Sequence, residues 1–377
     1  MTAISPTELL LIQAAIAPVP EAARAWDQWR RFVGSSDPLP QEQQILPSVA
    51  ANLQGHLSDD VLRPALVARR RTAVNNLRTV AALNELLEAL QVRNIEPVVL
   101  KGAAMMSSAY FDDLGARNMC DVDLLVAPAE VVPAIEILER LAMVRWKPEI
   151  PLDALRSVMH AATFQGPLGE IDLHWTLLYN GRDTSADAEF RSRSVPARLG
   201  SREILVPSPT DLAFHLLAHG ESPDLRWVVD VMAVLLAGEV DVDQVAASAR
   251  SRRYLAKLTA NAAAMASLVE CGNGSAIAEL RAALANAEPL PGDVVHGNFT
   301  TGNGLSRPVA FARFVRTQSR AAPGGSRVQF IKHLAQYASE SPTFRGSFRP
   351  AAMRKMLSHL APGGSSARAS RSDRSTL

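Results

Sequence analysis

The chain has 377 residues, of which 47% are apolar and 20% charged, and its net charge is +1. That length suits two or three globular domains, and the composition excludes a disordered or fibrous chain. The near-neutral balance gives no global field for nucleic acid or an anionic membrane, and no apolar run reaches the ~18 residues of a membrane span.

Residues 1 to about 60 read as helices separated by prolines. Thr7 to Ile12 opens the first helix, and Pro18 and Pro20 end it. No basic-then-apolar leader precedes it, so a cytoplasmic setting is expected. Trp26, Trp29 and Phe32 follow at helical spacing and are expected to pack as an apolar stripe rather than serve as a base-stacking platform. The clearest helix runs from Val61 to about Val92, with Val74, Leu77, Val80, Leu83, Leu86, Leu87 and Leu90 recurring at three and four. Its Arg69-Arg70-Arg71 run reads as a solvated face, with contact to an anionic partner as the alternative.

Next comes a short apolar run, Val98-Val99-Leu100, ending in Lys101-Gly102. A tight turn there would let a backbone approach a phosphate and a lysine touch it as a point charge. The alternative for Lys101 is a structural pair with Asp112 or Asp113. Asp121-Val122-Asp123 then enters Leu124-Leu125-Val126, which reads as a buried strand. Residues two apart on a strand share a face, so Asp121 and Asp123 project together, roughly 7 Å apart at the backbone. Two carboxylates on an apolar strand repel each other and lose solvation, costs that a divalent cation removes. Mg²⁺ suits such a pair together with substrate phosphate oxygens. The competing reading of a bare Asp-x-Asp is a solvated strand end. Arg117, four residues upstream, adds a cation near the same edge. Cys120 is expected to pack on the strand. With Cys271 it makes no disulfide framework.

Pro128 to Leu141 fits a helix with Val132, Ile135, Leu138 and Leu141 on one side, and Met143 to Trp146 fits a strand. Leu152 to His160 fits a short helix, and Ala161 to Gln165 the first strand of a hairpin. Its partner, Glu170 to Trp175, puts Glu170, Asp172 and His174 on one face and Ile171, Leu173 and Trp175 on the other. A carboxylate there would complete a three-carboxylate site able to hold two metal ions. Thr210-Asp211 is expected to cap a helix from Leu212. On it His215 and His219 stand four apart, which suits zinc or ordinary buried hydrogen bonding. Arg226 and Asp230, also four apart, read either as a helix ion pair or as Arg226 facing the substrate.

From about Asp241 to Ala287 the chain is alanine-rich and helical. Arg307, Arg313, Arg316, Arg320, Arg327, Arg345 and Arg349 lie among phenylalanines and read as a basic helix surface rather than an RNA-binding face. Residues 361–377 are rich in Gly, Ser and Arg and are expected to be disordered. The expected division is a helical region over 1–70, a catalytic core over 71–200, a helical domain over 201–360 and the tail.

Four ordered blocks carry a resemblance: Leu100-Lys101-Gly102; the Asp121–Val126 acids after a spacer with Tyr110 and Arg117; Ile171–Trp175; and Asp211 through Asp230. Over about Leu83 to Leu236 the chain resembles the uncharacterised bacterial nucleotidyltransferase family of the polymerase-β-like superfamily. Many superfamily members carry Gly-Ser or Gly-Gly where Lys101-Gly102 stands, whereas Lys-Gly matches the narrower family. The resemblance implies an α+β fold, a small mixed-sheet nucleotidyltransferase core with extensive flanking helices. It implies catalysis and binding of two Mg²⁺ by Asp121, Asp123 and Asp172, and phosphate contacts from Lys101, Gly102 and Arg117. His174, His215, His219 and Arg226 are the candidate acceptor pocket. The substrates would be an NTP, with ATP expected, and a small-molecule, peptide or protein acceptor; nucleic acid and membrane are not expected partners. The alternative is a regulatory module that keeps the fold without the chemistry.

Overall fold

The computed structural model describes residues 5–34, 36–107, 110–111, 113–179, 183–220, 224–268, 274–290 and 327–340, with side chains of the last helix through 334. They fall into two compact units, Met1–Pro148 with Met159–His296, and Glu149–Val158 with Gly297–Leu377. Residues on both sides of the expected boundaries at 70 and 200 belong to the first unit.

The first unit is built on a seven-stranded mixed sheet. Its strands are β1 (Val98–Leu100), β2 (Val122–Leu125), β3 (Val144–Arg145), β4 (Ala161–Gly166), β5 (Gly169–His174), β6 (Val195–Leu199) and β7 (Arg202–Val206). Their order in the sheet is β3-β4-β5-β2-β1-β7-β6. Strand β1 runs antiparallel to β2 and parallel to β7, and β2 runs parallel to β5. The β4–β5 hairpin closes at Gly169, whose φ of +85° a side chain would resist.

Five helices precede the sheet: α1 (Pro6–Ile16), α2 (Val19–Val33), α3 (Pro40–Gln43), α4 (Leu46–Leu53) and α5 (Asp59–Gln91). Helices α6 (Lys101–Ser107), α7 (Val131–Arg140), α8 (Leu152–Val158) and α9 (Thr184–Ser192) are interleaved with the strands. Then follow α10 (Pro209–His219), α11 (Arg226–Leu236), α12 (Val242–Ser251), α13 (Leu255–Leu268), α14 (Gly274–Asn286) and α15 (Arg327–Glu340). The expected order of helix, strand, helix, acid-bearing strand, helix, strand and acid-bearing hairpin is thus present, in an α+β fold with many helices. No helix of the described residues is long and apolar enough to cross a membrane. In the second unit α8 packs on α15, where Ser157 Oγ meets His333 Nδ1 at 2.6 Å and Phe330 and Leu334 are buried.

The central strands form the core. Val98, Val99, Leu100, Val122, Leu124, Leu125, Ile171 and Leu173 are buried, each fully buried aliphatic contributing about 1.5–3 kcal/mol. Alternation leaves Asp123 as the polar exception on β2. The registers align Leu100 with Asp123, Asp123 with Asp172, and Asp172 with Thr163, so one row crosses four strands.

Several local expectations need correction. Trp26 and Trp29 stack at 4.9 Å and are buried, but Phe32, at the C-terminal end of the helix, is 69% exposed. On α5, Val74 and Leu77 are exposed while Thr72 and Asn76 are buried. On α7, Val132 is exposed and Val131 and Ala134 take its place in the core. Helix α10 begins at Pro209 with Ser208 as its cap, its hydroxyl accepting from Asp211 N–H. Cys120 is exposed, because it lies in the loop before β2 rather than on the strand. Cys271, the tail and all the late arginines except Arg327 lie outside the described residues.

Candidate active site

Asp123 is the buried centre of the site. Burial alone would push its carboxyl up, but the Lys101 ammonium and a hydrogen bond from His174 hold it well below the ordinary carboxylate range. His174 Nε2 meets Asp123 Oδ1 at 3.0 Å, and Lys101 Nζ forms an ion pair with the same oxygen. The lysine's partner is therefore Asp123 and not Asp113, which pairs with Arg69; Asp112 lies outside the described residues. Burial disfavours the Lys101 ammonium, and Asp123 more than reverses that and raises its pKa.

The strand-to-helix turn aims this lysine. Lys101 follows β1 with a φ of +45°, left-handed backbone that costs a non-glycine residue about 1–3 kcal/mol. The turn lifts Lys101 out of the strand row, and its chain reaches across to β2.

Asp172 stands beside Asp123 on the parallel strand β5, and Thr163 Oγ1 donates to its Oδ1 at 2.6 Å. Asp123, Asp172 and His174 offer ligand atoms all within 4.8 Å of one another, a group able to hold a metal ion. Asp121 immediately precedes β2, half-buried and outside this close group. It is nevertheless coupled to the group: burial and then the Asp123 charge push its pKa up to about 6. Asp123 and Asp172 thus lie together with His174, which is buried as a hydrogen-bond partner of Asp123, and Asp121 stands just upstream.

Arg117 is buried in the loop before β2. Its Nε and Nη2 donate to the two carboxylate oxygens of Asp230, both at 2.8 Å, and Nη1 donates to Asn118 O at 3.1 Å. It is a buried fork that ties the loop before β2 to α11. This removes Asp230 from Arg226, which instead pairs with Asp224 at 2.7 Å. Arg226 also reaches Asn118 O at 3.3 Å and Cys120 Sγ at 3.4 Å, close enough for its charge to act on Asp121. Gly102 packs directly against the Arg117 guanidinium, where a Cβ would collide. Its smallness serves that packing.

The same loop is pinned from α5. Asn76 is fully buried; its Nδ2 donates to Leu114 O and Arg117 O, both at 2.6 Å, and its Oδ1 accepts from Met119 N at 3.1 Å. Ser48 Oγ donates to Ala116 O at 3.0 Å. Sequence reasoning missed Asn76. The signal available was a polar residue on the buried face of an amphipathic helix.

His215 and His219 face each other on α10 with ring centroids 4.5 Å apart. His215 is fully buried, neither ring nitrogen has a hydrogen-bond partner among the described residues, and burial holds its pKa well below the ordinary value. His219 is half-buried, with Nε2 at 3.4 Å from Leu177 O. Of this pair, only His219 reaches the surface.

A family model described as uncharacterised nucleotidyltransferase matches residues 37–269. No curated protein matches the chain. Two solved structures are similar to it. The antibiotic-resistance factor ANT(2'')-Ia shares 13% identity over 46% of this chain and 90% of that one, with a TM-score of 0.34. An antigenic nucleotidyltransferase-like protein from Paracoccidioides brasiliensis shares 16% identity over 60% of this chain and 99% of that one, with a TM-score of 0.33. At these scores the likenesses carry no argument.

Proposed function

Because the chain belongs to the family of uncharacterised nucleotidyltransferases, we propose that it moves a nucleoside monophosphate from an NTP, with ATP the expected donor, to a hydroxyl acceptor. The acceptor hydroxyl loses its proton to solvent as its oxygen bonds to the α-phosphorus, the α–β phosphoanhydride bond breaks, and pyrophosphate leaves with its electron pair. The observation that carries the reading is the Asp123–Asp172 pair, in register on adjacent parallel strands, with Asp121 two residues upstream.

The donor set fits a hard divalent cation such as Mg²⁺. Asp121, Asp123 and Asp172 bring carboxylate oxygens, and His174 directs Nε2 at Asp123. When bound, the ion neutralises triphosphate charge and lowers the pKa of an oxygen it touches. The other roles fall to the chain itself. His174 orients Asp123, and Thr163 orients Asp172 through its Oδ1, which leaves the other oxygen open. Lys101, paired with Asp123, is the cation nearest to hand for a phosphate. Arg226, at the rim beside Asp121, is a second such cation, whereas the donors of Arg117 are committed to Asp230 and Asn118. His219 remains the half-exposed member of the expected acceptor pocket. A cytoplasmic setting stays part of this reading.

The test is to incubate the protein with each α-labelled NTP, Mg²⁺ and candidate hydroxyl acceptors, and to measure pyrophosphate and labelled product. Transfer that disappears in Asp123→Asn supports the reading. No pyrophosphate with any NTP and acceptor, from a protein that is folded, overturns it.

A further inference from the structure

Helix α5 carries a face that the acid cluster does not use. With about 3.6 residues per turn, Arg63, Arg70, Arg71 and Arg78 fall with Val67, Val74 and Leu77 inside one arc of about 120°. All seven are exposed, the three aliphatic residues to 42%, 50% and 57%. The stripe is about 22 Å long, 15 steps of about 1.5 Å. No acidic residue occurs between Arg63 and Ala81. Arg63 pairs with Asp60, but Arg70, Arg71 and Arg78 have no ion-pair partner among the described residues.

A cavity of about 490 Å³ opens along this face. Leu66, Arg69, Arg70 and Leu77 line it from α5, and Asp113 and Leu114 line it from the loop that Asn76 pins. It combines an apolar floor with a guanidinium edge and two carboxylates, Asp59 and Asp113, of which Asp113 pairs with Arg69. An ordinary solvated helix face carries both charge signs and few large aliphatics. Residues 63–81 carry one sign only, and the aliphatics alternate with it; the acids nearby, Asp60 and Asp113, pair with Arg63 and Arg69.

We propose that this face of α5 docks an acidic, amphipathic peptide segment of a partner protein. Carboxylates of the segment would meet Arg70, Arg71 and Arg78, and apolar side chains would cover Val74 and Leu77 and enter the cavity. Charge complementarity selects the acidic partner. The exposed aliphatics select a peptide over a nucleic acid, because residues 63–81 offer no aromatic ring for base stacking. The alternation of arginine and aliphatic residues also differs from a membrane-surface helix, which segregates its charged and apolar faces. The proposal does not depend on nucleotidyl transfer.

The experiment is fluorescence anisotropy on the full chain. The probe is a labelled synthetic helix-forming peptide with Leu at a three-and-four spacing and Glu elsewhere. Its Lys-for-Glu counterpart, an oligouridylate and phosphatidylserine vesicles are the other arms. The acidic peptide should bind, weakening with added salt, and the basic peptide should not. Arg70→Glu/Arg71→Glu/Arg78→Glu and, separately, Val74→Ser/Leu77→Ser should each weaken acidic-peptide binding by about tenfold or more. Both variants should leave Mg·NTP affinity as in wild type. If one variant fails to fold, the other decides. Equal binding of both peptides, wild-type affinity in a folded variant, or tighter binding to the oligouridylate or the vesicles overturns the proposal.

Discussion

Asp121→Asn separates the electrostatic cost of the acid cluster from its use. In the folded protein the Asp121 pKa is pushed from 3.8 to about 6, by burial and then by Asp123. The folded state therefore binds more protons than the unfolded state between about pH 4 and pH 6. Stability contributed by this group falls as pH rises through that window, and above it the ionised Asp121 is a standing penalty. The shift of about two units corresponds to about 3 kcal/mol at ~1.36 kcal/mol per unit, and partial solvent access makes about 1–3 kcal/mol the working range. The asparagine keeps the shape and removes the charge. Measured by thermal melting with a chelator present, the variant should match wild type at pH 4 and exceed it at pH 8 by a few degrees. It should also lose Mg²⁺-dependent NTP affinity in calorimetry. A variant that melts below wild type at pH 8, or a difference that does not change between pH 4 and pH 8, would refute the reasoning.

Lys101→Met leaves the buried Asp123 with His174 alone and should lower stability by about 3 kcal/mol, as when one partner of a buried pair is removed; Mg²⁺ should restore part of that in a melting experiment, and an unaltered melt would count against the pair. Asn76→Leu removes partners from Leu114 O, Arg117 O and Met119 N, so a loss of about 3 kcal/mol or more is expected. Faster proteolysis between residues 110 and 120 would accompany it, and an unchanged cleavage rate there would mean the loop is held by other contacts. Asp172→Ala should retain much of the Mg·NTP binding and lose transfer by about 10²-fold or more. Equal losses of binding and transfer would place Asp172 in ground-state binding instead.

Which residues of a strand share a face was legible from local rules: alternation puts Asp172 with His174 on β5. Asp121 precedes β2, and the register that sets Asp123 beside Asp172 joins positions 49 apart, which no local rule fixes. What could not be read was the pairing of long side chains across the fold. Arg117 and Asp230 are 113 positions apart. Only the docking of α11 on the loop before β2 brings them together. Without that knowledge the i,i+4 rule assigned Asp230 to Arg226, and the structure gives it to the more deeply buried guanidinium. The same limit applies to Lys101. Its charge near a phosphate edge was visible, but its pair with Asp123 depends on a left-handed turn at a lysine, which no propensity would suggest.

Helix α5 had its signal in the sequence, but counting threes and fours follows the wrong line. Val74, Leu77 and Val80 look like the start of the leucine stripe, yet each step of three residues turns about 60° short of a full circle. Over two steps the line drifts by about 120°, so Val74 faces away from the side on which Val80 packs. On the packed side Leu62, Ala65, Thr72, Asn76, Val80, Leu83, Leu87 and Leu90 are buried together. Two of those eight are polar, and Asn76 is so because it packs against a loop backbone whose carbonyls and amide need partners more than apolar cover. Placing Asn76 inside leaves Val74 and Leu77 outside, on the same arc as Arg70, Arg71 and Arg78. The clamp that holds the loop before β2 and the exposed basic-apolar face are therefore two sides of one helical register. A substitution that rotated or slipped α5 would disturb both at once, whereas a surface charge reversal on Arg70, Arg71 and Arg78 should leave the Asn76 clamp in place.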